Sequence, residues 1–256
     1  MAVLAHPDDE SLGLGGTLAA YAAAGVETFL LTATRGDAGR YGNHRLGDPG
    51  HPGRSALGKV RERELRTAGS VLGIRGIDLL DYPDQQLDRA NPKEAIAAIV
   101  DHPHRVRPHV VVTFGPDGAY GHPDHIAISQ LTTAAVVAAA DRAIAKLYYI
   151  AWPAPTWAAY ESALKKLTSV VDGVERQVVP WPDWAITTVI DARQYCDTVW
   201  RAISCHESQM SVYTKLRDLP REHHEALWGR QSFYRAFSRV NGGRARETDL
   251  FEGIGT

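Results

Sequence analysis

Two short polar segments carry the side chains best suited to chemistry in this sequence. The first is Ala5-His6-Pro7-Asp8-Asp9-Glu10, and the second is Gly121-His122-Pro123-Asp124-His125. Each follows an apolar run typical of a buried strand and precedes a pattern typical of a helix. Imidazole nitrogens and carboxylate oxygens are common protein ligands of divalent transition metals. We therefore expect the two turns to meet in space and to hold one divalent metal.

The predicted metal ligands are His6 and Asp9 from the first turn and His125 from the second. Their spacing lets His6 and Asp9 reach one ion as the chain enters a helix. Two histidines and one carboxylate are the ligands expected of a catalytic Zn²⁺ that keeps one position open for water. Fe²⁺ or Mn²⁺ would also accept this set. The sequence thus predicts a catalytic metal centre and leaves the metal open.

The remaining polar residues of the two turns are suited to proton transfer. Asp8 is predicted to be a general base that takes a proton from water activated by the metal. A protonated His122 would stabilise an oxyanion and protonate a leaving amine. Asp124 would orient His122 by accepting the other N–H of its ring. Glu10 is interpreted as an acid favoured at a helix N-terminus, or as a group that supports the metal ligands.

The elements that position these turns alternate between strands and helices. Strands are predicted at 2–5, 26–34, 77–80, 110–114 and 146–150, and helices at 12–24, 60–72, 91–100 and 126–140. This order predicts an α/β protein with a Rossmann-like, three-layer α/β/α fold and a mostly parallel sheet. Ligands of such sheets bind at the carboxyl ends of the strands. His6, Asp37, Asp84 and His122 each follow a predicted strand, so we expect them at one edge of the sheet.

Beyond residue 151 the pattern is less regular. We expect a single domain over 1–256, with a core at 1–150 and a smaller C-terminal lobe at 151–256 that completes the pocket. Within that lobe the sequence predicts a hairpin around Asp172-Gly173, a strand at 185–190, a helix at 192–208 and a last helix at 222–237. The polar loop at 35–58 is long for a compact domain, and such loops are usually functional or disordered.

Composition excludes several classes of function. The net charge of −2 gives no basic excess for nucleic acid, and no apolar run approaches the span of a bilayer. The two cysteines do not indicate a disulfide framework, and no secretory signal precedes the first strand, so a cytoplasmic protein is expected. Aromatic residues after 151 would stack on a sugar ring, pack in the core or bury a homo-oligomer interface.

The two turns together resemble those of the LmbE-like, or PIG-L, superfamily of metal-dependent N-acetylglucosaminyl deacetylases. Weaker similarities extend over most of the chain: Thr34-Arg35-Gly36-Asp37, Arg61-Glu62-Arg63-Glu64-Leu65, Pro83-Asp84 and Asp249-Leu250-Phe251-Glu252-Gly253. The resemblance implies hydrolysis of the N-acetyl group of a small molecule that contains N-acetylglucosamine, with Zn²⁺ as cofactor.

The resemblance also implies roles for single residues. In the family's motifs, the positions of His6, Asp9 and His125 bind zinc, while that of Asp8 is the base and that of His122 the electrophilic histidine. The mycothiol-pathway deacetylase has a tyrosine two positions before the electrophilic histidine, and this tyrosine helps to polarise the acyl oxygen. Tyr120 stands at that position here.

Four further residues are candidates for binding the substrate. The resemblance suggests Arg61 and Asp84; otherwise Arg61 would pair with an acid on a solvated helix face, and Asp84 would close a turn. Arg54 is a candidate for binding an anion or hydroxyl group. His206, in a late segment that resembles a family His-x-Ser/Thr-Gln motif, would face either the pocket or solvent.

Two other interpretations remain open at this point. An amidase acting on a thiol conjugate or on another N-acyl amino sugar would use the same metal chemistry. A non-catalytic sugar-binding module would keep the metal for structure alone, but it would need neither Asp8 nor His122. A nucleotide-binding oxidoreductase is disfavoured, because the acidic first turn would repel a pyrophosphate.

Overall fold

The computed structural model of the chain describes residues 1–139, 144–164, 168–171, 173–243 and 245–255. The strands in this part are β1 (Ala2–Leu4), β2 (Phe29–Thr34), β3 (Gly76–Tyr82), β4 (Val110–Phe114), β5 (Lys146–Ile150), β6 (Thr168–Val171), β7 (Val174–Gln177), β8 (Thr188–Asp191) and β9 (Arg230–Ser238). The helices are α1 (Asp9–Ala23), α2 (Arg54–Leu72), α3 (Pro92–Val106), α4 (Gly118–Gly121), α5 (Pro123–Ala138), α6 (Ala154–Leu164), α7 (Cys196–Ser204), α8 (Met210–Arg217) and α9 (Arg221–Trp228).

Seven strands form one mixed sheet in the order β3-β2-β1-β4-β5-β9-β8. The pairs among β1 to β5 are all parallel, whereas β9 runs antiparallel to both β5 and β8. Helices α1, α2 and α7 pack together, and α3 packs against α5. These features confirm the predicted α/β fold with a mostly parallel sheet.

The strand order places β1 and β4 side by side. The chain leaves β1 toward β2 on one flank and later returns on the other flank as β4, so the carboxyl ends of these two strands form a topological switch point. Open α/β sheets bind their ligands at such points. Both polar turns identified from the sequence begin here, and the short β1 is fully buried.

Most of the predicted elements are present, although helices α1, α2 and α5 begin earlier than expected and α7 begins later. Strands β4 and β5 have the predicted bounds, and Asn91 caps α3 by accepting the backbone N–H of Lys93 at 3.0 Å. The predicted hairpin forms as β6 and β7, which pair antiparallel, although its Asp172 lies outside the described residues.

The predicted last helix at 222–237 is wrong. Helix α9 ends at Trp228, and after Gly229 the chain continues as β9. The backbone of β9 pairs with β5 on one side and with β8 on the other. The hydrogen bonds offered by both neighbours favour a strand here, where the local apolar pattern had suggested a helix. Residues after 151 therefore add two strands to the main sheet.

A buried ionic cluster ties the C-terminal segment to this sheet. The Glu247 carboxylate accepts hydrogen bonds from Lys146 Nζ at 2.7 Å, Arg235 at 2.6 Å and the Tyr148 hydroxyl at 2.6 Å. Lys146 and Glu247 are almost completely buried. Burial alone would raise the pKa of Glu247, but hydrogen bonds from Lys146, Tyr148 and their neighbours lower it from 4.5 to about 2.

No helix in the described ranges is long and apolar enough to cross a membrane.

Replacing Glu247 with Gln should lower the free energy of unfolding by about 3–5 kcal/mol, because two buried cations lose their counter-charge. The depressed pKa means that this contribution is fully present above about pH 4.5 and is lost as the pH falls toward 2. Urea denaturation at pH 7 and at pH 3 tests both statements, with the exposed Asp218→Asn as control. A loss below about 1 kcal/mol at pH 7 would contradict the proposed importance of the cluster.

Candidate active site

The first polar turn begins where β1 ends, and the backbone shapes it tightly. Asp8 is the N-cap of α1 and has φ 106° and ψ −23°, in the left-handed region that non-glycine residues rarely adopt. Such a conformation costs roughly 1–3 kcal/mol and persists only where the surroundings enforce it. The second turn follows β4, where His122 caps α5 and Pro123 occupies its first turn.

Three buried side chains from the two turns converge. His6 Nδ1 lies 3.2 Å from His125 Nε2, and the carboxylate oxygens of Asp9 lie 3.6 Å from the former atom and 3.4 Å from the latter. Burial raises the pKa of Asp9, but the His125 and His6 rings outweigh this effect and hold it well below its usual range. Asp9 is therefore an ionised carboxylate facing two imidazole nitrogens.

These distances fit a shared cation. Ligand atoms about 2.1 Å from a tetrahedral metal lie about 3.4 Å from one another. His6 Nδ1 and His125 Nε2 are 3.2 Å apart, and each lies near a different oxygen of Asp9, at 3.6 Å from Oδ2 and 3.4 Å from Oδ1 respectively. Asp9 Oδ2, the oxygen nearer to His6 Nδ1, also accepts the backbone N–H groups of Ala5 and His6 at 3.2 and 2.8 Å, which fixes the carboxylate in place. His6, Asp9 and His125 could thus hold one divalent metal.

The far edge of the His6 ring meets two more carboxylates. Its Nε2 lies 3.1 Å from Asp124 Oδ2 and 3.1 Å from Asp84 Oδ1. A proton on Nε2 satisfies both oxygens and leaves the lone pair of Nδ1 for a cation, an arrangement common around metal-binding histidines. Ligand atoms lie within 4.8 Å of one another in two groups, His6 with His122 and His125, and His6 with Asp84 and Asp124, so His122 and the two carboxylates offer alternatives to Asp9 as ligands.

The expectation that Asp124 orients the His122 ring by accepting its N–H is wrong. The Asp124 carboxylate is occupied by His6 Nε2 and by the backbone N–H groups of Gln85 and Leu87, at 2.7 and 3.0 Å. It is instead the backbone N–H of Asp124 that donates to His122 Nδ1, at 3.2 Å. Asp124 therefore supports the first turn from the second.

The surroundings of His122 favour a neutral ring rather than the expected protonated one. Burial lowers the pKa of His122 to about 3, and the nearby His6 and His125 rings add to the effect. Because Nδ1 accepts a backbone N–H, the single ring proton belongs on Nε2. A neutral histidine at a helix N-terminus can still donate a hydrogen bond to a developing oxyanion.

The Asp8 carboxylate is held by two donors on one oxygen. Arg61 donates to Oδ2 at 3.0 Å and the Tyr213 hydroxyl donates to the same oxygen at 2.8 Å. Burial raises the pKa of Asp8 above its usual range, although the Arg61 guanidinium opposes this shift. Arg61 is itself buried and also donates to the carbonyls of Pro7 and Gly36, so it is not paired with acids on a solvated face.

Tyr213 was not identified from the sequence. It lies in α8, and neither a motif nor a strand end marks it, so only the three-dimensional structure reveals its contact with Asp8.

A cavity opens above these groups, with a polar and an aromatic side. Tyr120 lines it beside the histidines, with its ring centroid 5.5 Å from that of His125. Trp152 and Trp157 form the aromatic side and meet edge to face, with centroids 4.9 Å apart. The polar side consists of Asp8, Asp9, Arg61, Asp84, Gln85 and Gln209. The cavity therefore suits a ligand that is polar on one face and apolar on the other.

Two of the predicted substrate-binding residues do not line this cavity. Arg54 pairs with Asp37 at 3.2 Å and faces a separate surface depression. His206 is completely buried, and its Nε2 lies 2.8 Å from Glu10 Oε1, so it faces neither the pocket nor solvent. Arg61 and Asp84, by contrast, both reach the cavity.

Comparison with known proteins agrees with this site. The family model described as GlcNAc-PI de-N-acetylase, PIG-L, matches residues 1–136, which include both polar turns. A protein of Rhodococcus jostii (strain RHA1) named 1D-myo-inositol 2-acetamido-2-deoxy-alpha-D-glucopyranoside deacetylase is 34% identical over 296 aligned positions, which cover 99% of this chain and 97% of that protein.

Solved structures share the fold at low sequence identity. The 4-carboxy-2-hydroxymuconate hydratase of Pseudomonas putida KT2440 has a TM-score of 0.69 and 19% identity, over 95% of this chain and 98% of its own. The N,N'-diacetylchitobiose deacetylase of Pyrococcus horikoshii has a TM-score of 0.63 and 18% identity, over 91% and 82%. A hydratase and a deacetylase thus share one architecture, so the reaction must be argued from the site.

The geometry predicts that His125→Ala lowers metal content from about one ion per chain to a small fraction of that value, because a catalytic zinc site rests on three protein ligands. Elemental analysis after dialysis against a weak chelator measures the content. His44→Ala, an exposed histidine of the 35–53 loop, is the matched control and should keep its metal. Equal metal content in both variants would contradict the ligand set.

Proposed function

We propose, since this chain belongs to the PIG-L family of de-N-acetylases, that it removes the acetyl group from an N-acetylglucosamine-containing small molecule and releases acetate and a free amine. The observation that carries this proposal is the convergence of His6, Asp9 and His125 within 3.2–3.6 Å beside Asp8, whose carboxylate reaches the same cavity. A purely structural metal site would not need a base beside it.

The metal proposed for the site is Zn²⁺, since two imidazoles and one carboxylate are typical ligands of catalytic zinc. When bound, it would supply a Lewis acid that acidifies water and polarises the acyl oxygen. The proton transfers and the stabilisation of the oxyanion are assigned to side chains of this chain.

Asp8 is suited to the role of general base. Arg61 and Tyr213 both occupy Oδ2, so we assign Oδ1 as the oxygen that takes a proton from the attacking water. The raised pKa makes the carboxylate a better proton acceptor than an exposed aspartate. The two donors also restrict the side chain to one orientation.

His122 and Tyr120 are suited to stabilising the oxyanion. The Nε2–H of the neutral His122 ring and the hydroxyl group of Tyr120 both border the cavity. Burial raises the pKa of Tyr120 well above its usual value, and the nearby carboxylates of Asp9 and Asp8 add to the shift, so its hydroxyl keeps its proton. Fixed donors of this kind stabilise the negative charge that develops during acyl transfer.

The proton for the departing amine is best supplied by Asp8. After it has taken a proton from water, its raised pKa lets it remain protonated long enough to return that proton. His122 is less suited to this role, because its ring would have to hold a second proton and burial lowers its pKa. Asp8 would thus act first as base and then as acid.

The proposed substrate class rests on the names of the relatives and on a cavity lined by both polar and aromatic residues. The Rhodococcus relative is named for an inositol-linked N-acetylglucosamine. Asp84 and Arg61 offer partners for sugar hydroxyls, while the rings of Trp152 and Trp157 offer an apolar face on which a sugar can stack. We therefore expect an N-acetylglucosaminyl group linked to a polar aglycone.

Replacing Asp8 with Asn should lower kcat for amine release by about 10²–10⁴-fold, because the side chain keeps its shape but no longer accepts a proton. Metal content should stay near that of the parent protein. Fluorescamine detection of the released amine measures turnover, and the exposed Asp197→Asn serves as control. A fully active, metal-loaded Asp8→Asn protein would remove the proposed base.

A substrate panel tests the proposed substrate class. Amine release should be fastest from inositol-linked N-acetylglucosamine, slower from free N-acetylglucosamine, and slowest from the amide of a thiol conjugate, because the Rhodococcus relative is named as a deacetylase of the first compound. Faster cleavage of the thiol conjugate would favour an amidase, and no cleavage of any member by the zinc-loaded protein would contradict the proposed function.

A further inference from the structure

The backbone of Asp8 needs an external restraint. Its left-handed conformation, with φ 106°, is unfavourable for a residue that carries a Cβ atom. The carbonyl of Asp8 accepts the first N–H groups of α1, from Ser11 and Leu12 at 3.1 and 3.0 Å. Its own N–H points the other way and donates to Glu10 Oε2 at 2.9 Å. The Glu10 carboxylate therefore holds the N–H side of this peptide group, while Arg61 donates to its carbonyl, that of Pro7.

Glu10 is in turn held from the C-terminal half of the chain. Its other oxygen, Oε1, accepts the hydroxyl of Ser11 at 2.5 Å and the Nε2–H of His206 at 2.8 Å. Both Glu10 and His206 are 0% exposed. Every hydrogen bond in this chain of contacts is buried, so water cannot replace a lost partner without opening the site.

The pair has no direct access to a substrate. Neither Glu10 nor His206 lines the cavity, and His206 follows α7, which packs against α1 and α2. A role in the chemistry must therefore act through Asp8. The same arrangement accounts for two sequence features that the reaction itself does not use, the acid at the end of the first motif and the late histidine.

We propose that the buried Glu10–His206 pair is a positioning device that holds the peptide group of Asp8 in its left-handed conformation and so aims the general base into the cavity. The inference rests on the proposed function. Without the Glu10 acceptor, the Asp8 N–H would be buried and unpaired, and the backbone would relax toward negative φ. That rotation carries the carboxylate away from Arg61 and Tyr213, which grip it at 3.0 and 2.8 Å.

The pair could instead contribute only to stability, as buried ion pairs sometimes do. The two roles differ in what they change. Loss of positioning lowers kcat much more than it changes KM or metal content, because neither Glu10 nor His206 lines the cavity. Loss of stability alone leaves kcat of the folded fraction unchanged. Glu247→Gln, which breaks a remote buried ionic cluster, is the matched control for destabilisation.

The experiment compares the metal-loaded full chain with its Glu10→Ala, Glu10→Gln and His206→Ala variants, each also in an Asp8→Ala background. Expected is a fall in kcat of about 10²-fold for Glu10→Ala, the loss typical of a misplaced catalytic group. Glu10→Gln keeps an acceptor for the Asp8 N–H and should recover most of that loss. In the Asp8→Ala background, Glu10→Ala should lower kcat no further, since both substitutions act through the Asp8 carboxylate.

Three results would overturn the inference. The first is an unchanged kcat in folded Glu10→Ala. The second is an equal loss of kcat from Glu10→Ala in the presence and in the absence of Asp8. The third is a loss of kcat in Glu247→Gln as large as that in Glu10→Ala. If Glu10→Ala does not fold, His206→Ala, which leaves the acceptor in place but frees it to move, carries the same test with a smaller expected loss of about 10-fold. An inactive parent protein would instead contradict the proposed function, so the two failures are distinguishable.

Discussion

The contact on which the rest of the site depends is the meeting of His6, Asp9 and His125 at the ends of two neighbouring strands. The two histidines are 119 residues apart in sequence, yet their ring nitrogens lie 3.2 Å from each other in a buried position, and each lies within 3.6 Å of an Asp9 oxygen. Electron pairs of three ligands brought so close repel unless a cation or protons lie between them. The order of the sheet, with β1 beside β4, is what makes this approach unavoidable.

Around that centre, each turn supports the other. Asp124 of the second turn reaches back to the far nitrogen of His6, while the strained Asp8 is held by Glu10 at its backbone and by Arg61 and Tyr213 at its carboxylate. Strain at Asp8 is thus offset by hydrogen bonds from the neighbouring Glu10 and from the distant Arg61 and Tyr213. A carboxylate fixed in this way loses little orientational freedom when it reacts, which is a large part of what an enzyme supplies.

The sequence was sufficient for the fold class and for the residues that meet at the centre, because strand ends and residue types are local signals. The sequence was not sufficient where contacts between distant residues determine the local structure. The segment that forms β9 was predicted as a helix, because the local sequence does not show that β5 and β8 pair with it. Three features of the site depend on groups that are far away in sequence. They are the partner of Asp124, the lowered pKa of His122 and the contact of Tyr213 with Asp8. Arg54 and His206 carry suitable side chains, but packing directs them elsewhere.

Anomalous diffraction from crystals of the zinc-loaded protein, collected on both sides of the zinc absorption edge, tests the central claim most directly. The account predicts one strong peak about 2.0–2.2 Å from His6 Nδ1, Asp9 and His125 Nε2. A peak bound instead by His6 Nε2, Asp84 and Asp124, or no peak at either edge of the His6 ring, would contradict it.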